Sequence, residues 1–155
     1  MKEMSDDLLR RYNRLLRQTD EYYRLVARSM GCGEATVWVL YTLLEEPGCT
    51  QRSMCDAMCQ PKQSVNSALK KLEQEGYVTL QVTEKDKRSK HIFLTEKGKI
   101  LAAATAEKIR AAERQVLSQS PEETELLMQL MEKLNQRLSA AFQPLRDNKG
   151  RSYDH

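Results

Sequence analysis

Histidine is scarce: the 155 residues contain two, His91 and His155. That supply leaves little for a nitrogen-rich metal site or for histidine-based proton transfer, and no metal ligand set is assigned. Long hydrophobic runs are missing too. No stretch approaches the roughly 18 apolar residues of a membrane span, and the first ten residues lack the basic-then-apolar order of a secretion signal. The expected location is the cytoplasm, with no membrane partner. Also absent are G-x-S-x-G, a phosphate-cradling G-x-x-x-x-G-K loop and H-E-x-x-H. No nucleophile–base pair or cofactor cradle therefore points to an enzyme, and no cofactor is expected. Cysteine occurs four times, as Cys32, Cys49, Cys55 and Cys59, but without a C-x-x-C pair or zinc-finger spacing. In a cytosolic setting the simpler use is as reduced thiols packed like small apolar groups, with a redox or metal role as the alternative.

What is present suits one core. A chain of 155 residues with 40% hydrophobic and 30% charged residues reads as a single soluble domain rich in solvated helix faces. The net charge of +3 is modest, but its distribution is uneven. Between Thr50 and Gly98 there are nine Lys/Arg against six Asp/Glu, while the remainder holds sixteen of each. The excess sits in the middle third, where a polyanion could be gripped.

The apolar spacing is mostly helical. Leu8, Leu9, Tyr12, Leu15, Leu16, Tyr22, Tyr23, Val26 and Met30 recur at intervals of three and four, predicting a helix over 5–30 too long to bury its stripe against one small domain. Gly31 and Gly33 break it. A second helix, 34–46, stops at Pro47-Gly48, and Thr50 is placed to N-cap a third over 51–58. Pro61 suits the first turn of a fourth, which runs to Gln74 or Glu75 before Gly76. The period then changes. Segments 77–82 and 91–94 are β-prone and flank the charged stretch 83–90, so they predict a hairpin with a basic tip. Thr95 is a plausible N-cap for a helix over 96–117, and Ser120-Pro121-Glu122-Glu123 has the spacing of a capping box. A last helix carries Leu126, Leu127, Leu130, Met131, Leu134, Leu138 and Phe142 on one stripe, and a flexible tail is expected over 143–155. The fold class is mainly α with a small β-hairpin wing (α+β).

Helix, short helix, turn, helix and basic hairpin make a winged helix-turn-helix, here over 34–95. With Val65, Ala68, Leu69 and Leu72 buried, a turn of about 100° per residue puts Gln60, Gln63, Ser67, Lys70 and Gln74 outside. Amide, hydroxyl and ammonium groups suit the edges of base pairs in a major groove, although a polar outer face can also serve solvation alone. The candidate recognition set is Gln60, Lys62, Gln63, Ser64, Asn66, Ser67, Lys70 and Lys71, with Thr50, Gln51, Arg52 and Ser53 as candidate phosphate contacts. Lys85, Lys87, Arg88 and Lys90 crowd the hairpin tip, where their mutual repulsion finds relief in an anionic partner. A planar, weakly hydrated guanidinium such as Arg88 also suits a narrow minor groove. The candidate wing set is Asp86, Lys87, Arg88, Ser89 and Lys90.

The stretch Asp86-Lys-Arg88-Ser-Lys-His-Ile-Phe-Leu94-Thr95-Glu-Lys-Gly98 resembles the wing signature of MarR-type transcription regulators, D-x-R followed by L-T-x-x-G. The element order from Ser5 to Phe142 is similar to that family as well. The resemblance implies that Arg88 enters the minor groove with help from Asp86, and that the fourth helix reads the major groove of double-stranded DNA. It further implies an obligate homodimer built from the first helix and the last two, spanning 5–30 and 96–142, and repression as the outcome. A small aromatic effector would bind among Tyr12, Tyr23, Trp38 and Tyr41, where plain core packing is the competing use of those rings. Peroxide-sensing members use a cysteine in the first helix and zinc-sensing members use several histidines; this sequence has neither. Cys55 and Cys59 form a candidate oxidisable pair if the third helix reaches Cys59, against which stands simple packing. A helical protein-interaction adaptor is the alternative function, and it does not account for the basic hairpin.

Overall fold

The structure, a computed structural model, describes residues 6–82 and 89–147. Six helices and one hairpin follow in order: α1 (Asp6–Ser29), α2 (Glu34–Glu45), α3 (Gln51–Met58), α4 (Lys62–Gln74), β1 (Val78–Val82), β2 (Lys90–Leu94), α5 (Glu96–Leu117) and α6 (Pro121–Asp147). The chain divides into two compact units, 1–111 and 112–155.

In the first unit the core gathers one face of every element around α4. Val39, Leu40 and Leu43 of α2, Met54 of α3, Val65, Ala68, Leu69 and Leu72 of α4, Val78 of β1, Ile92 of β2 and Ala102 of α5 form one buried cluster. Full burial of a Leu or Val side chain contributes about 1.5–3 kcal/mol, so the seating of α4 is strongly determined. A second cluster joins Ala27, Val37 and Ile109, with Tyr23, Trp38 and Tyr41 packed against it.

The caps fall where side chains can reach orphan backbone groups. Thr50 Oγ1 accepts from the Ser53 N–H at 3.2 Å, and Ser53 Oγ accepts from the Thr50 N–H at 3.0 Å, a reciprocal capping box. α3 ends at Met58, and Cys59 takes up the left-handed conformation at φ 50° as its C-cap. The hairpin is antiparallel, pairing Val78 with Leu94 and Leu80 with Ile92. A short third partner was not foreseen: Gly48 N–H donates to the Ile92 carbonyl and Ile92 N–H to the Cys49 carbonyl, both at 3.0 Å. Gly48 sits at φ 78°, and a Cβ there would come within 2.8 Å of the Phe93 ring.

Leu94-Thr95-x-x-Gly98 forms a knot between the hairpin and α5. Thr95 Oγ1 donates to the Gly76 carbonyl at 2.8 Å and accepts from the Gly98 N–H at 3.0 Å. Thr95 N–H donates to the Tyr77 carbonyl at 3.0 Å. Gly98 is buried so closely beneath Tyr77 that any Cβ would overlap the Tyr77 carbonyl oxygen.

In the second unit α6 continues through Pro144 to Asp147, so its first helical residues past the proline replace the tail expected from Gln143. Proline removes one helical donor, while later N–H groups can still reach carbonyls before it. Residues 148–155 lie outside the described residues. Leu126, Leu127, Leu130, Met131, Leu134, Phe142 and Leu145 of α6 are exposed in the single chain, as are Leu8, Leu9, Leu15, Leu16 and Tyr22 of α1. Among the described residues no helix is long and apolar enough to cross a membrane.

Gly98→Ala should lower unfolding free energy by at least about 2 kcal/mol, because backbone rather than a flexible side chain must move. Urea unfolding followed by circular dichroism checks this, and an unchanged midpoint would contradict the close approach of α5 to Tyr77.

Candidate nucleic-acid interface

Burial of one side of α4 dictates what the other side shows. Lys62, Gln63, Asn66, Ser67, Lys70 and Lys71 are exposed, whereas Ser64 and the preceding Gln60 are half-buried. The amides of α3 and α4 meet at one point, where Gln51 Nε2 lies 3.5 Å from Asn66 Oδ1. That is the outer limit of a hydrogen bond, so it orients Asn66 only weakly.

A groove of about 710 Å³ runs between α3, the start of α4 and the base of the hairpin. Thr50, Gln51 and Arg52 line it from α3, Lys62 from α4, and Ser89 and Lys90 from the wing; Cys55, Leu80 and Ile92 also line it. Three cations therefore surround one carboxylate, Asp56. Residues nominated separately as phosphate contacts, recognition helix and wing share one concave, cationic surface. Ser53 stands outside the groove, its side chain engaged in the capping box. Asp86, Lys87 and Arg88 lie outside the described residues.

The groove's wall is held by a contact that sequence reasoning missed. His91 Nδ1 is 2.7 Å from the Gly48 carbonyl oxygen. A carbonyl only accepts, so Nδ1 carries the proton and donates. Together with the bridge between Thr50 and His91, this bond clips the loop before α3 to β2 and sets the distance between the α3 N-terminus and the wing. Only the odd placement of a lone histidine at a strand start could have drawn attention to it.

The profile of the MarR family matches residues 34–89. The transcriptional regulator HosA of Escherichia coli is 32% identical over 97 residues, which cover 62% of this chain and 72% of HosA. The chain belongs to the MarR family. Similarity to the HTH-type transcriptional regulator PetP of Rhodobacter capsulatus is 35% identity over 86 residues, 53% of this chain. That match spans about half of PetP, 52% of its length. In fold, a MarR-family regulator of Listeria monocytogenes solved in complex with 26mer DNA superposes with a TM-score of 0.75 at 20% identity, covering 99% of this chain and 100% of that one. This MarR-family chain is thus a transcriptional regulator with a DNA-binding winged helix, and not an enzyme.

The remaining nominated residues of this MarR-family chain fall into two groups. Tyr23 and Trp38 stack at 5.4 Å between centroids, Trp38 and Tyr41 at 5.8 Å, and the Arg110 guanidinium lies 5.2 Å from the Tyr41 ring. Tyr12 lies half-buried farther back on α1. The three stacked rings contact one another, and none of them lines the groove. Cys55 is half-buried against the groove, while Cys59 is exposed beyond the end of α3. Burial pushes the thiols of Cys32, Cys49 and Cys55 above the ordinary cysteine value, with Glu46 and Asp56 adding to it at the latter two. A raised thiol holds less thiolate at neutral pH and reacts more slowly.

Iodoacetamide at pH 7.5 should therefore modify Cys59 first, with Cys49 and Cys55 lagging by about tenfold or more and gaining as pH rises toward 9. Peptide mass spectrometry over a time course checks the order. Cys55 reacting first would contradict its environment.

Proposed function

We propose that this regulator binds double-stranded DNA sequence-specifically as a homodimer and represses transcription from the cytoplasm. The observation that carries the reading is the shared cationic surface, where the outward face of α4 adjoins the groove lined by Thr50, Gln51, Arg52, Lys62, Ser89 and Lys90. A helix with amide and ammonium groups fits a major groove, and the adjoining groove fits the phosphodiester strand beside it. The Listeria neighbour bound to a 26mer duplex supports the same docking. Arg88 and Asp86 would extend the contact into the minor groove.

The dimer is supported by the apolar rows of α1 and α6, exposed in one chain and apolar enough to call for a cover. Two reading helices then address a pseudo-palindrome whose half-site centres lie about 10 bp apart. Release follows a shift toward a dimer whose reader spacing misfits the operator. A small aromatic ligand near Tyr12, Tyr23, Trp38 and Tyr41, or oxidation at Cys55 and Cys59, would drive that shift. The same apolar rows suit a helical adaptor, which predicts no discrimination between duplexes.

Fluorescence anisotropy with a duplex selected by the protein from the source genome separates the two. If each subunit neutralises about four phosphates, log K falls with log salt at a slope near −7. Arg88→Ala should weaken binding strongly, and Gln63→Ala should relax preference at one base pair by about 1–3 kcal/mol. Equal affinity for selected and scrambled duplexes would overturn the specific-reader proposal.

A further inference from the structure

Lys97 occupies the first turn of α5, where the positive end of a helix is the least favourable place for a cation. Local preference is violated, so another element must use the charge. Lys97 Nζ donates to the Glu75 carbonyl at 3.1 Å and lies 4.2 Å from the centroid of the Tyr77 ring. Glu75 is the C-cap of α4. The ammonium therefore closes the negative end of the recognition helix and stacks on the residue just beyond it. Thr95 takes the next two carbonyls, Gly76 and Tyr77. One α5 turn thus binds three successive carbonyls at the exit of α4.

We infer that Lys97 is a positioning residue for DNA recognition, holding the tilt of α4 through its C-terminal end. The inference rests on the DNA-reading proposal above. α4 has 13 residues, a length of roughly 20 Å. A swing of about 5° at Glu75 would displace the region of Gln63 by roughly 1.5 Å, more than base-edge hydrogen bonds tolerate. Val65, Ala68, Leu69 and Leu72 lie along one side of the helix. They resist its translation more than its rocking, and the clamp at the end supplies the missing restraint.

The test uses the full-length wild type, Lys97→Met and Lys97→Arg. Each is titrated against a duplex selected by the wild type from a random-sequence library and against a scrambled duplex of equal length, at several salt concentrations. Lys97→Met should lose about five- to tenfold on the selected duplex and much less on the scrambled one, the scale of one charge-assisted hydrogen bond. Its salt slope should match the wild type, and Lys97→Arg, which can both donate and stack, should restore the affinity. Equal loss on both duplexes, or undiminished affinity for the selected one, overturns the inference. A slope shallower by about 0.9 overturns it as well, because it marks a direct phosphate contact. A wild type that does not distinguish the duplexes removes the DNA-reading proposal and this inference together, whereas discrimination by the wild type with an unaffected Lys97→Met removes the inference alone.

Discussion

The burial of Val65, Ala68, Leu69 and Leu72 along one side of α4 is the constraint from which the remaining architecture follows. Those four side chains are enclosed by α2, α3, the hairpin and α5, so α4 cannot rotate about its axis without exposing Leu to water. A rotation by one residue, about 100°, would bury Lys or Asn in place of Leu or Ala. The penalty for an unpaired buried charge far exceeds the gain of any alternative packing. Hence the polar row from Lys62 to Lys71 is locked outward, and the same packing fixes where Met54 puts α3 and where Ile92 puts the wing.

Electrostatics then builds on that seating. Arg52, Lys62 and Lys90 come from three different elements and are brought to one groove with a single carboxylate, Asp56, among its lining residues. Like charges held together without a partner are unfavourable, and a phosphodiester strand relieves them while releasing its own counterions. His91 and the Gly48 carbonyl keep the loop before α3 at a fixed distance from β2, so the groove is formed before any ligand arrives. Preformation lowers the ordering cost of association. The raised thiols of Cys49 and Cys55 fit the same picture, since they pack where the loop and α3 close over the core.

Much of this was legible in the sequence because it depends on neighbours along the chain. α3 and α5 span Gln51–Met58 and Glu96–Leu117, the limits expected from the Thr50 and Thr95 caps. The wing motif told more than its pattern alone could explain: Thr95 ties two carbonyls, and Gly98 is glycine because Tyr77 O occupies the space of a side chain. What was not legible depends on distant partners. The His91 bond spans 43 residues, and Lys97 reaches a carbonyl 22 residues away; neither leaves a periodic trace. The aromatic rings were rightly set on one side by helical spacing, yet spacing does not say whether rings face a ligand or each other. Pro144 was read as a stop, but a proline near a helix end costs one hydrogen bond and α6 runs past it.

Hydrogen exchange measured by mass spectrometry, with and without a duplex selected by the protein, tests most directly whether the face of α4 opposite the core is the reading surface. The account predicts slowed exchange in segments 50–53, 62–71 and 89–91 on adding the duplex, with α6 unchanged. Slowing confined to α1 and α6, with those three segments unaffected, would contradict it.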